Sequence, residues 1–126
     1  MHSQKIESVL KLSLEDRYNY FVGKITEYEE VWGLYNDGWA SLGNDDKIVL
    51  PFWPEAEFAE LCCTGKWGNY KPTKISLSDF MEKWIPGMIK DERLVNSFYV
   101  PDALDSTLIS PEVLLEDLNN ELESFL

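Results

Sequence analysis

Histidine and cysteine are scarce in this 126-residue sequence, and their positions argue against several kinds of site. The one histidine is His2, and the two cysteines are the neighbours Cys62 and Cys63. This inventory argues against a histidine-based triad and against a zinc site with ordinary ligand spacing. Adjacent cysteines cannot link distant segments, so we predict reduced thiols rather than a disulfide framework. We predict no metal, cofactor or catalytic residue, and no motif supports an enzyme.

Basic residues are also few, and apolar runs are short. Eleven Lys and Arg face 23 Asp and Glu, which gives a net charge of −12 and a pI near 4.3. Binding to nucleic acids or to anionic membranes requires basic patches, so we expect neither. The sequence has no run of about 18 apolar residues, and MHSQKIESVL lacks the apolar core of a secretory signal. We therefore expect a cytoplasmic protein.

The rest of the composition is typical of a folded domain. Apolar residues make up 44% of the chain and aromatic residues 13%. Segments with helical spacing alternate with segments typical of strands. We predict one α+β domain over 1–126, with helices packed on a small mixed or mainly antiparallel sheet of about five or six strands.

Four parts follow one another in the predicted domain. They are N-terminal helices over 1–30, a three-stranded β-meander over 31–53, mixed helices and strands over 54–109, and an acidic helix over 110–126. The meander depends on Asp37-Gly38, a strong signal for a hairpin turn. Pro86-Gly87 predicts a break or kink near Ile85 in one of the helices, because proline lacks an amide hydrogen.

Tryptophan is abundant for a small domain, with residues at five positions: Trp32, Trp39, Trp53, Trp67 and Trp84. Three of them follow the apolar periodicity, and we predict that Trp32, Trp39 and Trp84 fill the core. Trp53 and Trp67 instead lie at predicted element ends, where an aromatic side chain can line a pocket or anchor a partner.

A lysine-containing segment surrounds Trp67 and is the one basic stretch of this acidic chain, with Lys66, Lys71 and Lys74. It is either a solvated loop or a site for an anion or a carboxylate-bearing partner. We take Trp53, Trp67 and Lys71 as candidate binding residues, with core packing of the two indoles as the alternative.

Carboxylates are the only charged side chains after Arg93. Two interpretations are open: a solvated acidic helix that keeps the protein soluble, or a surface that docks a basic protein partner. In the second interpretation, the candidate binding residues are Glu116, Asp117 and Glu121.

Three separated blocks occur in order: VWGLYNDGWASLGNDD, LPFWPEAEFAELCCTGKWGNY and ISLSDFMEKWIPG. Together they resemble the domain of unknown function 2750 family, over roughly Leu14 to Leu118. The resemblance implies a bacterial, cytoplasmic, single-domain protein and carries over no activity or site residue. The pattern LPFWPEAEFAEL, with the elements that follow it, also looks like the N-terminal domain of the enhanced-serine-sensitivity protein family, although Trp53 stands where that family usually has Thr. Small acidic proteins of related architecture recur among toxin-neutralising immunity proteins.

Two functional hypotheses follow. The first is a non-enzymatic protein-interaction module, an immunity-type or regulatory inhibitor that binds a basic partner through its acidic surface. The alternative is a small-ligand-binding domain or cryptic enzyme with a pocket near Trp53 and Trp67.

Overall fold

The computed structural model describes residues 3–43, 47–100 and 107–124. The α-helices in these ranges are α1 (Ser3–Leu10), α2 (Leu14–Tyr28), α3 (Ala56–Leu61), α4 (Leu77–Asp79), α5 (Ile85–Lys90) and α6 (Pro111–Glu123). The strands are β1 (Glu30–Tyr35), β2 (Leu42–Gly43), β3 (Ile48–Phe52), β4 (Lys71–Ser76), β5 (Leu94–Ser97) and β6 (Thr107–Ile109). A 3₁₀ turn covers Gly65–Trp67, and a π-helical turn covers Phe80–Trp84. The predicted α+β class is confirmed.

The strands form two sheets that one bridge connects. One sheet is the antiparallel pair β1–β4, and the other has the order β2-β3-β5-β6. The β3–β5 pair is parallel, whereas the β2–β3 and β5–β6 pairs are antiparallel. Trp32 and Trp53 exchange backbone N–H···O bonds of 2.9 and 2.8 Å, and this bridge links β1 to the end of β3. The arrangement is therefore mixed, with six strands in the described ranges.

The predicted meander over 31–53 is wrong in its first pairing. The loop at Asp37-Gly38 does form, since Asp37 takes a left-handed φ of 57° and Asn36 donates its amide to the Gly38 carbonyl. Beyond it, however, only the isolated bridge between Tyr35 and Trp39 continues the hairpin. The strand β1 pairs along its whole length with β4 instead. A local turn signal cannot reveal such a distant partner, which the shared core selects.

Serine caps begin three helices. In each case the serine hydroxyl accepts a hydrogen bond from the backbone amide three residues later, which satisfies a donor that the helix leaves open. The bonds are Asp16 N to Ser13 Oγ at 3.1 Å, Asp79 N to Ser76 Oγ at 3.2 Å and Val113 N to Ser110 Oγ at 3.3 Å. These caps fix the starts of α2, α4 and α6.

The break or kink predicted near Ile85 takes the form of a helix irregularity and not of a break. The chain passes from α4 to α5 through the π-helical turn, in which the Ile85 amide bonds to the Phe80 carbonyl five residues earlier. Pro86 lacks an amide hydrogen, and its ring would crowd a carbonyl four residues back in a regular helix. A π turn inserts one residue and accommodates this proline without ending the helix.

One hydrophobic core lies between the sheets and the helices. Its innermost side chains come from α2, β3, β5, α6 and the π turn, and include Phe21, Ile25, Phe52, Phe80, Val95, Leu114 and Leu118. Helix α6 packs against α2 and α5, and α3 packs against β1 and β4. Of the helices in the described ranges, none combines the length and the apolar character needed to cross a membrane.

Candidate functional site

Trp53 and Trp67 meet in the structure, but in the interior. Trp53 is 0% exposed, and its Nε1–H donates a 2.7 Å hydrogen bond to the Tyr99 carbonyl. Trp67 is 5% exposed, and its ring centroid lies 6.4 Å from that of Trp53 in an edge-to-face arrangement. The 3₁₀ turn brings Trp67 back onto the core. Both indoles do lie at element ends, and their burial supports the alternative of core packing.

The three tryptophans predicted to fill the core lie at its edge instead. Trp32, Trp39 and Trp84 are half-buried and pack against the core cluster. Trp39 contacts Trp84 edge to face at 4.8 Å between centroids, and exposed Tyr35 stacks on Trp39 at 5.0 Å. Periodicity marks the inner face of each element, but it does not show how far a large ring extends toward solvent.

The lysines near Trp67 do not converge on a shared site. The Nζ of Lys66 lies 5.2 Å from the centroid of the Trp67 ring, and the Nζ of Lys74 lies 3.9 Å from a Glu30 carboxylate oxygen. Lys71 is exposed at the start of β4. None of these residues lines the three cavities described below. None of these three cavities therefore supports the hypothesis of a small-ligand pocket near Trp53 and Trp67.

The vicinal thiols are poorly suited to nucleophilic chemistry. Cys62 is buried, and its thiol lies 3.5 Å from the Tyr99 carbonyl. Burial raises the pKa of Cys62 to about 12, although the contact with Trp53 works in the opposite direction. Burial and the nearby Glu60 carboxylate also raise the pKa of half-buried Cys63. Since the thiolate is the reactive form, the raised pKa values disfavour nucleophilic chemistry at neutral pH.

Two cavities beside α5 have linings of mixed charge. One has a volume of about 500 Å³ and includes Lys47, Arg93, Asp91 and Glu112 in its walls. The other, of about 270 Å³, shares Arg93 and Asp91 and adds Trp84. Since cations and carboxylates are interspersed, neither lining selects a ligand of one charge. Across 3–43, 47–100 and 107–124, no three His, Cys, Asp or Glu side chains are placed to hold one metal ion.

A third cavity differs in being apolar and bordered by carboxylates. It has a volume of about 650 Å³ and lies where the end of α2, the α4–π segment and α6 meet. Its walls include Leu77, Met81, Leu115 and Leu122, together with Glu29 and Glu82. No Lys or Arg occurs in its lining. We call this feature the α6 groove.

Local sequence explains how two walls of the α6 groove are held. Helix α2 ends at Glu29, which takes the left-handed conformation with φ of 58°. The Glu29 carbonyl then accepts the Leu77 amide at 2.9 Å, so the end of α2 is bonded to the start of α4. Leu77 lies four residues before Met81, and Leu115 lies seven residues before Leu122. Both spacings place side chains on one face of a helix.

Exposed carboxylates run along α6 beside this leucine stripe. At 3.6 residues per turn, Glu112, Glu116 and Glu123 lie on the solvent side of the stripe formed by Leu115 and Leu122. All three are exposed. The sequence-predicted residue Glu116 therefore follows directly on Leu115 of the stripe but is outside the lining of the α6 groove, and Glu112 lines the cavity of about 500 Å³ instead.

The other two predicted carboxylates of α6 lie on a different face. Asp117 is half-buried and accepts a 2.5 Å hydrogen bond from the Tyr18 hydroxyl. Burial and this carboxylate hold the pKa of Tyr18 well above its ordinary value. Glu121 is half-buried one turn further along, on the same face as Asp117. Asp117 thus attaches α6 to α2, and it is less accessible to a partner than Glu116.

The sequence profile of a known family identifies the chain. The family described as "Protein of unknown function (DUF2750)" matches residues 18–118, well over half of the 126-residue sequence. The chain belongs to the DUF2750 family. The resemblance read from the three sequence blocks is thereby confirmed. No curated protein matches this DUF2750 sequence significantly.

A further polar cluster of this DUF2750 protein was not anticipated from its sequence. Glu55 is only 9% exposed and accepts hydrogen bonds from Lys5 Nζ at 2.6 Å and from the Tyr20 hydroxyl at 2.7 Å. The cluster joins α1, α2 and the start of α3. Since the partners are 50 and 35 residues away in the chain, no local pattern could have indicated them. Both contacts satisfy a nearly buried charge, so the cluster is structural.

The α6 groove is the described feature of this DUF2750 protein best suited to recognition. Apolar walls can bury a partner's side chains, and this burial supplies affinity. The surrounding carboxylates attract cations and disfavour acidic ligands. Leu77, Met81, Leu115 and Leu122 supply the apolar part of the lining, and Glu29, Glu82, Ser76 and Ser78 supply its polar part.

Proposed function

We propose that this DUF2750 protein is a bacterial, cytoplasmic, non-enzymatic interaction module that binds a basic protein partner at the α6 groove. The observation that carries the proposal is the α6 groove, an apolar cavity with Glu29 and Glu82 in its lining and exposed carboxylates on the outer face of α6. Its lining contains no Lys or Arg, on a chain of net charge −12. Covering the basic surface of a partner is the action expected of an immunity-type or regulatory inhibitor. The free, largely inaccessible thiols Cys62 and Cys63 support a reducing compartment.

Affinity and association rate have separate origins in this proposal. Half-buried Met81, Leu115 and Leu122 offer apolar surface that a partner would remove from water, which supplies most of the affinity. The exposed carboxylates mainly accelerate the encounter and exclude acidic competitors. Because exposed charges are screened beyond about 8 Å at physiological ionic strength, the association should weaken as salt rises.

A capture experiment from host lysate tests the proposal. Wild-type protein, a triple Glu112→Gln/Glu116→Gln/Glu123→Gln variant and a matched triple control are immobilised at low and at moderate salt. The control carries Glu7→Gln, Glu15→Gln and Glu60→Gln, which change the net charge equally at exposed positions on other helices. Bound proteins are identified by mass spectrometry.

We expect one dominant basic protein on the wild type and on the control, reduced as salt rises and reduced further on the α6 variant. Equal capture of that protein by the wild type and the α6 variant would overturn the placement of the site. Capture of no basic protein would overturn the proposed function itself.

A further inference from the structure

We infer that the segment received by the α6 groove is an amphipathic α-helix of the partner, with apolar residues spaced over two turns and Lys or Arg beside them. The inference rests on the proposed function and specifies the partner's chemistry. It follows from Leu115 and Leu122 on α6, from the Leu77–Met81 pair on the α4–π segment, and from the carboxylates in the same lining.

The apolar walls have the length and spacing of a helix-binding groove. Leu115 and Leu122 are seven residues apart on α6, which corresponds to a rise of about 10 Å. Leu77 and Met81 are one helical turn apart on the α4–π segment. A guest helix presents apolar side chains at i, i+3 or i+4, and i+7 over the same distance, so its anchors match these walls. The flexible thioether of Met81 can adapt to guest side chains of different shape.

An extended guest fits these walls less well. An extended chain covers about 10 Å in three residues, and alternate side chains point away from the groove. A guest that binds by adding a strand also pairs its backbone with an open sheet edge. The walls of the α6 groove instead come mainly from α6, the α4–π segment and the end of α2. A helical guest satisfies its own backbone hydrogen bonds and packs its side-chain ridges between these helices.

Charge decides between a basic partner and a second copy of the same chain. Two copies would each bring a net charge of −12, and each would place carboxylates such as Glu29 and Glu82 against the other. Like charges held close at an interface are strongly unfavourable. Lys or Arg flanking the guest's apolar residues would instead lie near Glu82, Glu116 and their neighbours, so the guest is a basic segment.

Two labelled peptides of identical composition test the inference. The first is an 18-residue Leu/Lys peptide whose leucines follow the i, i+3, i+4, i+7 pattern, and the second is a scrambled peptide without an apolar face. Binding is measured by fluorescence anisotropy on the wild-type chain, on Leu122→Gln and on Val113→Gln. Val113 is 47% exposed on α6 and is the control for the substitution itself. Circular dichroism confirms that each variant is folded.

We expect the amphipathic peptide to bind about tenfold more tightly than the scrambled one. Leu122→Gln should remove most of that difference, whereas Val113→Gln should leave it within about twofold, as a residue outside the hot spot would. If both peptides bind equally and Leu122→Gln has no effect, the inference of a helical partner segment is overturned. That result would not contradict the proposed binding of a basic partner. If neither peptide binds, the inference is likewise overturned. The lysate capture above tests the proposed function separately.

Discussion

Replacing Trp53 by alanine would measure how much its indole contributes to the free energy of unfolding. The sequence analysis takes this residue as a candidate binding residue. The Trp53 side chain is 0% exposed, so the substitution removes a fully buried ring and leaves a cavity. Such losses cost about 3–5 kcal/mol. A small domain is stable by about 5–15 kcal/mol, so Trp53→Ala should remove a large share of the free energy of unfolding.

A Trp53→Phe variant separates ring packing from hydrogen bonding. It keeps an aromatic ring but removes the Nε1–H donor to the Tyr99 carbonyl, which lies 2.7 Å away. The Cys62 thiol, at 3.5 Å, remains a weak donor to the same carbonyl. An acceptor that loses its main partner costs about 1–3 kcal/mol. We therefore expect Trp53→Phe to be destabilised, but less than Trp53→Ala.

Urea unfolding followed by far-ultraviolet circular dichroism provides the measurement, because this signal does not depend on the number of tryptophans. Tyr28→Ala is the matched surface control, since Tyr28 is 48% exposed, and we expect it to lose less than about 1 kcal/mol. A loss below about 1 kcal/mol for Trp53→Ala would contradict its burial and would return Trp53 to the group of exposed binding residues.

Three further changes probe other parts of the structure. Because burial and Asp117 raise the pKa of Tyr18 above its ordinary value of 10, the folded state keeps the phenol proton that the unfolded state loses. Stability should therefore be fully present below about pH 10 and fall above it, and Tyr18→Phe should flatten that fall in unfolding curves recorded between pH 8 and 11. Cys62 should react with Ellman's reagent at pH 7.5 only after denaturant is added, and rapid reaction in buffer would contradict its raised pKa of about 12. Gly43→Ala should lower the unfolding free energy by about 1–3 kcal/mol, because Gly43 has φ of +93° and a new Cβ would lie 2.1 Å from the Lys47 carbonyl oxygen. Unchanged urea unfolding of this variant would contradict the close approach of Gly43 to the Lys47 carbonyl oxygen.

Local chemistry explains which elements could be predicted. The three serine caps at Ser13, Ser76 and Ser110 need only a hydroxyl and an amide three residues apart, so each depends on local sequence alone. The antiparallel return of β6 onto β5 also joins neighbouring segments of the sequence. The pairing of β1 with β4 was not predictable in the same way, because another apolar segment lay nearer in the chain. Which strand pairs depends on the total burial achieved by the fold, not on the turn at Asp37-Gly38.

The candidate site likewise has some features that the sequence shows and others that only the structure shows. The acidic character of α6 and the candidate residue Glu116 are visible in the sequence, because charge is a property of each residue. The sequence does not show that Glu116 is exposed whereas Asp117 is bonded to Tyr18, because these positions depend on how α6 is rotated against α2. Pro86 signals a disturbance of its helix, but only the packed structure shows a π turn rather than a break.

By itself, the sequence determined the α+β class, the DUF2750 family, the −12 charge and the sites of helix initiation, because each depends on composition or on neighbouring residues. Only the tertiary structure decided that Trp53 and Trp67 are interior and that Leu115 and Leu122 line a groove. The physical reason is that burial is shared among elements far apart in the chain. A side chain becomes core or binding surface according to what the rest of the fold places against it.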